Sequence, residues 1–293
     1  MNTVEVVCEI APSARIAPQA QIGPYCVVGP HVTIGPDTVL TRRVMVIGHT
    51  TLGSGNHVAE GCVLGEVPQD LKYAGAPTLL IIGHRNRFGP RATAHIGTET
   101  GGFLTRIGND NVLGGGCHVA HDCYIEDRAT LGTNVLLAGH VLVGTGAVVG
   151  DLVGAHHFTT IGRHARVGPR TPVRRDVPPF ADFYSADPER SAPAVRGVHQ
   201  AGVDAAGLAE QERAELLRVM AELFDDESAL QTKIEQLEKM GVEGAAAELC
   251  EFVRRSLTGV YGRYRELFRG QAPPEAVQYL PPEHQAALRR PSP

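Results

Sequence analysis

The stretch IGPYCVVGPHVTIG, residues 22–35, repeats one pattern three times: an aliphatic residue followed by glycine, at intervals of six. The aliphatic position recurs at the same interval outside this stretch. A first block holds Ile10, Ile16, Ile22, Val28, Ile34, Leu40, Val46, Leu52, Val58 and Leu64. A second block holds Ile107, Leu113, Val119, Ile125, Leu131, Leu137, Val143, Val149, Ala155, Ile161, Val167 and Val173. A sustained period of six predicts a parallel β-helix, in which each hexad supplies a short strand and a bend where glycine tolerates left-handed backbone angles.

Two stretches interrupt the hexads: EVPQDLKYAGAPTLLI at 66–81 and TETGGFLTR at 98–106. We expect both to be loops ejected from the solenoid, where binding groups commonly lie. After residue 180, prolines concentrate first, and a helical spacing of Leu, Val, Met and Phe follows. The predicted domains are a hexapeptide-repeat β-helix at 1–180, a Pro-rich connector at 181–204, a helical region at 205–270 and a loose tail at 271–293.

The charge of the chain argues against a broad nucleic-acid-binding surface, because the sequence contains 27 Lys and Arg but 32 Asp and Glu, which gives a net charge of −5. The first residues, MNTVEVVCEIAPSAR, lack the basic and apolar regions of a secretory signal, and no apolar run is long enough to span a bilayer. We therefore expect a cytoplasmic protein with no transmembrane segment and no nucleic acid as a partner.

Residues 117–123, CHVAHDC, combine residue types that could form a metal site, a proton-transfer site or a packed core. In a hexad that starts at an aliphatic position i, position i+4 is usually small and should point inward together with i. Cys117 and Cys123 occupy such positions, so we expect them to be core residues rather than metal ligands. His118 and His121 occupy outward-facing positions. No C-x-x-C motif occurs in the chain, and we predict neither a metal nor another cofactor.

The hexads resemble those of the hexapeptide-repeat acyltransferases. This resemblance implies an all-β fold, a left-handed parallel β-helix shaped as a triangular prism with about 18 residues per coil, followed by a C-terminal α-helical region. At that period, five histidines and one aspartate fall along one edge of the prism: His118, His121, Asp122, His140, His156 and His157. We interpret this set as a functional cluster rather than an incidental stripe of surface residues.

Two stacked pairs are expected within this cluster. Asp122 and His140 lie one coil apart and should pair, which would raise the pKa of His140. His121 stacks on Gly139, and we expect a backbone carbonyl there, rather than Asp122, to orient its ring.

Six motifs add information beyond the repeat: IGPYCVVGPHVTIG (22–35), GEVPQDLKYAGAPT (65–78), ATAHIGT (92–98), HVAHDC (118–123), LAGHV (137–141) and DVPPF (176–180). Together they resemble the acyl-carrier-protein-dependent UDP-N-acetylglucosamine O-acyltransferases that begin lipid A synthesis. The combination of QDLKYAG with AHDC and LAGH is specific, whereas the hexads alone indicate only the fold.

The resemblance implies a reaction and a set of site residues. An acyl carrier protein would donate a 3-hydroxyacyl group to the glucosamine 3-hydroxyl of UDP-N-acetylglucosamine. His121 would be the general base, a role that contributes roughly 10²–10⁴-fold to such a rate. The implied substrate-binding residues are Gln69, Asp70, Lys72, His95, His118, Asp122, Gly139, His140, His156 and His157, with Pro169 near the end of the acyl chain. The family is homotrimeric with sites between subunits, which implies the same assembly here.

The chain departs from the family pattern at several positions. His157 stands where Gln is common, Ile96 where Arg is common, Ala76 where Glu is common, and Pro169 where Gly is frequent. Segment 202–208, GVDAAGL, lacks the basic residues that the family places near the uridine nucleotide. These departures concern the length of the acyl chain and the recognition of the nucleotide.

Three other functions fit parts of the sequence. A hexapeptide carbonic anhydrase would also place histidines at a subunit interface, around zinc, but gives no reason for QDLKYAG. A sugar N-acyltransferase of the same fold would act on a nucleotide-linked amino sugar, and the altered segment 202–208 is its best support. A non-catalytic scaffold would have no need of the intact catalytic motif.

Overall fold

The hexads form short strands, most of them two residues long, and the chain turns after each one. The structure is a computed structural model that describes residues 7–187, 191–225 and 230–269. In chain order, its strands are β1 (Glu9–Ile10), β2 (Arg15–Ile16), β3 (Gln21–Ile22), β4 (Val27–Val28), β5 (Thr33–Ile34), β6 (Val39–Leu40), β7 (Met45–Val46), β8 (His49–Leu52), β9 (His57–Val58), β10 (Val63–Glu66), β11 (Leu79–Ile82), β12 (Arg87–Phe88), β13 (Thr93–His95), β14 (Leu104–Ile107), β15 (Val112–Leu113), β16 (His118–Val119), β17 (Tyr124–Ile125), β18 (Thr130–Leu131), β19 (Leu136–Leu137), β20 (Leu142–Val143), β21 (Val148–Val149), β22 (Gly154–Ala155), β23 (Thr160–Ile161), β24 (Arg166–Val167), β25 (Ala181–Tyr184) and β26 (Ala194–Val198). The α-helices are α1 (Gln200–Ala205), α2 (Glu210–Phe224), α3 (Leu230–Lys239) and α4 (Gly244–Thr258), and two 3₁₀ turns occupy Glu99–Gly101 and Tyr264–Phe268.

Every third strand joins the same sheet, so the chain winds into a prism with three faces. Face 1 has the order β1-β4-β7-β10-β13-β16-β19-β22, face 2 has β2-β5-β8-β11-β14-β17-β20-β23, and face 3 runs from β3 through β6, β9, β12, β15, β18, β21 and β24 to β25 and β26. The strands pair in parallel except for β25 with β26. Partners such as Glu9 and Val27 define one coil, and the fold is the parallel β-helix that the hexads predict, with the left-handed wind that the resemblance implies.

The interior of the prism confirms the predicted orientation of the hexads. Ile34 and Val143, both at position i, are 1% and 0% exposed, and Cys117 and Cys123 at position i+4 are also buried. Aliphatic side chains from the three faces therefore form one continuous core, and its burial is the main stabilising contribution to the prism.

The repeated glycines have a different cause from the one expected. Gly23 does not adopt a left-handed φ, and a Cβ there would overlap the carbonyl oxygen of Thr41 in the next coil. Left-handed angles fall instead on position i+3, for example φ 59° at Asp122 and 65° at His140. Glycine at position i+1, as at Gly23, thus permits close approach of neighbouring coils, whereas glycines at the bends, such as Gly55 and Gly116, adopt the left-handed φ that the sequence predicted.

The chain beyond residue 180 continues to interact with the prism. The interval expected to be a Pro-rich connector contains β25 and β26, and α1 begins at Gln200 rather than near residue 205. Apolar residues of α2, α3 and α4 pack together and against Phe180 at the end of the β-helix. The predicted tail at 271–293 lies outside the described residues. None of the helices in the described ranges is both long and apolar enough to cross a membrane.

Both interruptions of the hexads leave the prism at the same corner, between faces 1 and 2. The first loop spans 67–78 between β10 and β11, and the second spans 96–103 between β13 and β14. In the following coils this corner is formed by residues 120–123, 138–141 and 156–159, which we call the histidine corner. The repeat therefore places the loops and the histidines on one edge of the molecule.

Candidate active site

His121 and Asp122 form a hydrogen-bonded pair at the histidine corner. Asp122 is fully buried, and its Oδ2 lies 2.7 Å from His121 Nδ1. The left-handed backbone of Asp122 turns its carboxylate toward the preceding ring. The prediction that a backbone carbonyl orients His121 was therefore wrong, because it assumed that adjacent side chains leave an extended strand in opposite directions.

The second loop holds the Asp122 carboxylate in place. Thr98 donates its backbone N–H to Oδ1 at 2.8 Å and its hydroxyl to Oδ2 at 2.6 Å. Thr105 Oγ1 accepts the backbone N–H of Asp122 at 2.8 Å. Since a carboxylate only accepts, the ring proton of His121 resides on Nδ1, and Nε2 is left as a proton acceptor.

The position of the His121 ring is also fixed by Gly139. A Cβ added at Gly139 would lie 2.5 Å from Cε1 and 2.7 Å from Nε2 of His121. These distances are too short for any side chain at residue 139. The expected stacking of His121 on Gly139 is confirmed.

His140 lies close to Asp122 but does not form the expected charged pair. Its Nε2 is 3.8 Å from Asp122 Oδ2, and its ring stacks on Phe158 with centroids 4.2 Å apart. Burial lowers the pKa of His140 to about 4 and outweighs the attraction of Asp122. The predicted rise in the pKa of His140 was wrong, because the sequence does not show how deeply this ring is buried.

Two further histidines lie on face 1, His118 in the coil of His121 and His95 in the coil before it. His95 and His118 contact edge to face with centroids 4.8 Å apart, and Thr93 Oγ1 lies 2.8 Å from His118 Nδ1. Burial lowers the pKa of His95 to about 4 and also lowers the pKa of His118. Ile96, which follows His95, is itself buried. Both imidazoles are therefore neutral hydrogen-bonding groups near neutral pH.

His156 and His157 lie in the last coil of the histidine corner, with ring centroids 3.8 Å apart. His157 contacts two residues that the sequence did not suggest. Arg269 donates from Nη2 to His157 Nε2 at 2.8 Å, and Glu266 Oε2 lies 4.0 Å from the same nitrogen. Glu266 lies in the C-terminal 3₁₀ turn, and Arg269 directly follows that turn. Both are more than 100 residues from His157 in the sequence, and no sequence motif indicated them.

A cavity of about 490 Å³ is lined by five of the candidate residues. Its walls include Gln69, His118, His121, Gly139, His156 and Arg174. The first loop supplies Gln69, and the second loop holds this loop down, because Glu99 Oε1 accepts the backbone N–H groups of Ala74 and Ala76 at 3.1 and 2.9 Å. The ring of His121 thus lies in the wall of a cavity large enough for part of a sugar nucleotide.

Asp70, Lys72 and Pro169 do not line this cavity, although Asp70 is near enough to His140 for its charge to favour the protonated ring. Asp70 and Lys72 are in the first loop, where Asp70 Oδ1 accepts the backbone N–H of Lys72 at 2.9 Å, and Lys72 is exposed. Pro169 lies at the corner between faces 3 and 1, next to Gly150, and not at the histidine corner. Within one chain, Pro169 and His121 are therefore on different edges of the prism.

One group of side chains has the donor atoms for a metal. Ligand atoms of His121, Asp122 and His140 lie within 4.8 Å of one another. Asp122 Oδ2 already accepts hydrogen bonds from Thr98 and His121, so an ion would have to replace both. The two nearby cysteines are buried in the prism, where burial raises the pKa of Cys117 to about 11 and that of Cys123 to about 12.

The chain is similar to known proteins over most of its length. Residues 104–139 match the family described as bacterial transferase hexapeptide (six repeats). An acyl-[acyl-carrier-protein]–UDP-N-acetylglucosamine O-acyltransferase of Gloeothece citriformis (strain PCC 7424) is 37% identical over 221 residues, which cover 75% of this chain and 77% of that protein.

Solved structures agree with this similarity. The UDP-N-acetylglucosamine O-acyltransferase of Moraxella catarrhalis RH4 superposes with a TM-score of 0.76 at 32% identity, covering 83% of this chain and 93% of that one. The UDP-N-acetylglucosamine acyltransferase of Francisella novicida gives a TM-score of 0.78 at 28% identity, covering 84% and 89%. The chain therefore belongs to the family of acyl-[acyl-carrier-protein]–UDP-N-acetylglucosamine O-acyltransferases.

Proposed function

We propose that this protein transfers a 3-hydroxyacyl group from acyl carrier protein to the glucosamine 3-hydroxyl of UDP-N-acetylglucosamine, the first step of lipid A synthesis. The observation that supports this most strongly is the His121–Asp122 pair, with its free Nε2 at the wall of the cavity. Membership of the family supports the choice of both substrates.

His121 acts as general base in this reaction. A sugar hydroxyl is a poor nucleophile near neutral pH, so Nε2 takes its proton as the oxygen attacks the thioester carbonyl carbon. The tetrahedral intermediate then collapses, the carbon–sulfur bond breaks, and the imidazolium returns the proton to the departing thiolate. Asp122 holds the ring in the correct tautomer and stabilises the imidazolium between these steps. No covalent acyl-enzyme is needed.

The other residues of the site bind and orient the substrates. His95, His118 and His140 are neutral and offer hydrogen bonds without a charge penalty. Gln69, Gly139 and His156 line the cavity directly. Half-buried Asp70 and exposed Lys72 of the first loop, together with His157 beside His156, extend this surface toward the nucleotide and the acyl carrier protein.

The active assembly is a homotrimer with sites between subunits. Pro169 and His121 lie on different edges of one prism, so an acyl chain that reaches both must run between two subunits. Three prisms side by side would bring the histidine corner of one subunit against another face of its neighbour.

Product analysis tests the proposed reaction. The protein is incubated with a 3-hydroxyacyl carrier protein and either UDP-N-acetylglucosamine or its 3-amino analogue. We expect an alkali-labile ester on the 3-hydroxyl of UDP-N-acetylglucosamine. Formation of an amide with the amino sugar and no ester would show instead that the chain is a sugar N-acyltransferase.

A further inference from the structure

The C-terminal segment 263–269 packs onto the end of the histidine corner. Tyr264 donates its backbone N–H to Asp176 Oδ2 at 2.9 Å, and Arg263 donates from Nη1 to the carbonyl oxygen of Arg174 at 3.0 Å. Arg174 is also a wall residue of the cavity that contains His121. The segment is thus fixed at one end of the candidate active site.

A series of ring contacts connects the proposed base to Arg269. The rings of His121 and His140 are 5.2 Å apart, those of His140 and Phe158 are 4.2 Å apart, and the Arg269 guanidinium lies 4.9 Å from the Phe158 ring centre. Each step moves along the histidine corner toward the C-terminal segment. A substrate that has its reacting group at His121 and follows this corner would extend toward Arg269.

Positive charge exceeds negative charge at this end of the cavity. Glu266 pairs with both Arg263 and Arg269, so one carboxylate serves two guanidinium groups. Arg174 adds a third, and no hydrogen bond or ion pair joins its side chain to another residue in the described ranges. Asp176 is another acidic group close by, and its carboxylate already accepts hydrogen bonds from Thr160, Ser256 and Tyr264.

The Arg269 guanidinium also has capacity for a ligand. Its Nε and Nη2 contact Glu266 and His157, whereas Nη1 has no hydrogen-bond partner among the residues that the structure describes. About half of the side chain is exposed. Segment 202–208, where basic residues near the nucleotide are expected, contains no Lys or Arg.

We propose that Arg269, together with Arg174, binds the diphosphate of the nucleotide sugar, and that this C-terminal segment provides the positive charge missing from 202–208. The inference rests on the proposed function, since it assumes a substrate with a diphosphate attached to the sugar. A guanidinium matches the geometry of phosphate oxygens and forms charge-assisted hydrogen bonds with them. Glu266 is a positioning residue that holds Arg269 beside His157.

Kinetics of Arg269→Ala and Arg174→Ala test this assignment. Each variant should raise KM for UDP-N-acetylglucosamine by roughly 10- to 100-fold, the effect of losing a charge-assisted hydrogen bond, while kcat and KM for the acyl carrier protein change little. Arg269→Lys keeps the positive charge but loses the planar guanidinium that can form two parallel hydrogen bonds. Its KM for UDP-N-acetylglucosamine should therefore lie between those of the parent and Arg269→Ala. Arg218→Ala is the matched control, because Arg218 is similarly exposed and paired with Glu215 and Glu222 on α2.

Direct binding of UDP, measured by calorimetry on the full chain, separates this inference from the proposed function. Weaker binding by Arg269→Ala and Arg174→Ala, but not by Arg218→Ala, supports the assignment even if the parent fails to acylate UDP-N-acetylglucosamine. Parent-like UDP affinity and parent-like KM in both variants would overturn it while leaving the acyl transfer intact. Arg174, which is exposed at the cavity wall, keeps the test decisive if Arg269→Ala does not fold.

Discussion

At the scale of single residues, backbone conformation determines how the proposed base is oriented. The sequence was sufficient to place His121 and Asp122 on one edge of the prism, because the hexad period fixes the direction of each position. It was not sufficient to predict their hydrogen bond, which depends on the left-handed φ of Asp122 and on the loop residue Thr98. Burial likewise reversed the expected change in the pKa of His140.

Gly139→Ala should lower kcat on the order of 10²-fold without unfolding the protein, because the added methyl group would displace the His121 ring. The comparison is Gly115→Ala, where the nearest atom to the new Cβ is 3.3 Å away. Initial rates and melting temperatures of both variants check this. A Gly139→Ala protein with the kcat of the parent would show that the His121 ring position is not critical.

Removal of metal ions should leave turnover unchanged. Asp122 Oδ2, the oxygen that this group would offer to an ion, is already hydrogen-bonded to Thr98 and His121. Dialysis against a strong chelator, followed by the acyl-transfer assay, is the measurement. Activity that disappears and returns on addition of zinc would instead favour the metal site that these three residues could form.

At the scale of secondary-structure elements, the regular part of the chain was predictable and the irregular part was not. Periodicity alone identifies the strands and the inward positions, because every coil repeats the same environment. The docking of the C-terminal helices depends on contacts between distant residues, such as Asp176 with Ser256 and Tyr264. No local pattern reveals such contacts.

Asp176 should make the stability of this docking depend on pH. Burial raises the pKa of Asp176 from its ordinary 3.8 to about 6, so the folded protein holds the proton more tightly than the unfolded chain. Its stabilising contribution is therefore complete below about pH 3.8 and is lost as the pH rises through about 6, a change of up to about 3 kcal/mol. Urea unfolding of the parent at several pH values measures it.

Asp176→Asn should remove this pH-dependent part of the free energy of unfolding. Asp37→Asn, at an exposed turn, should keep it. The free energy of unfolding of Asp176→Asn is then expected to fall less between pH 4 and pH 6 than that of the parent. If the free energy of unfolding changed with pH equally in the parent, Asp176→Asn and Asp37→Asn, Asp176 would not titrate in this range.

At the scale of the whole molecule, the prism acts as a rigid frame on which site residues are spaced by whole coils. Its triangular section separates Pro169 from His121, so the proposed acyl groove requires a second subunit. The sequence indicates which residues share an edge but contains no direct signal for how three prisms meet. The proposed trimer rests on the resemblance to the family.

Pro169→Gly should shift the preferred acyl donor toward longer chains, because it removes a ring from the proposed end of the groove. A panel of 3-hydroxyacyl carrier proteins of increasing chain length gives the relative kcat/KM values. Pro90→Gly is the matched control: it is an exposed proline at the same position of a hexad and the same corner, several coils away. An unchanged preference in Pro169→Gly would show that this residue does not limit chain length.

The role of His121 as general base predicts the pH dependence of the rate and the effect of its removal. Turnover by the parent should rise with pH through a single ionisation, because only a neutral imidazole accepts the proton. His95 and His140, each with a pKa lowered by burial to about 4, are already neutral near pH 7 and should add no further step there.

The decisive measurement is kcat of His121→Ala with UDP-N-acetylglucosamine and a 3-hydroxyacyl carrier protein, alongside the Kd for the nucleotide sugar. We predict a loss of roughly 10²–10⁴-fold in kcat, with nucleotide-sugar affinity close to that of the parent. His57→Ala, on the exposed side of β9, should retain full activity. A His121→Ala protein that turns over within about tenfold of the parent would contradict the assignment of His121 as the base, and His118 and His157 would then be the candidates to test.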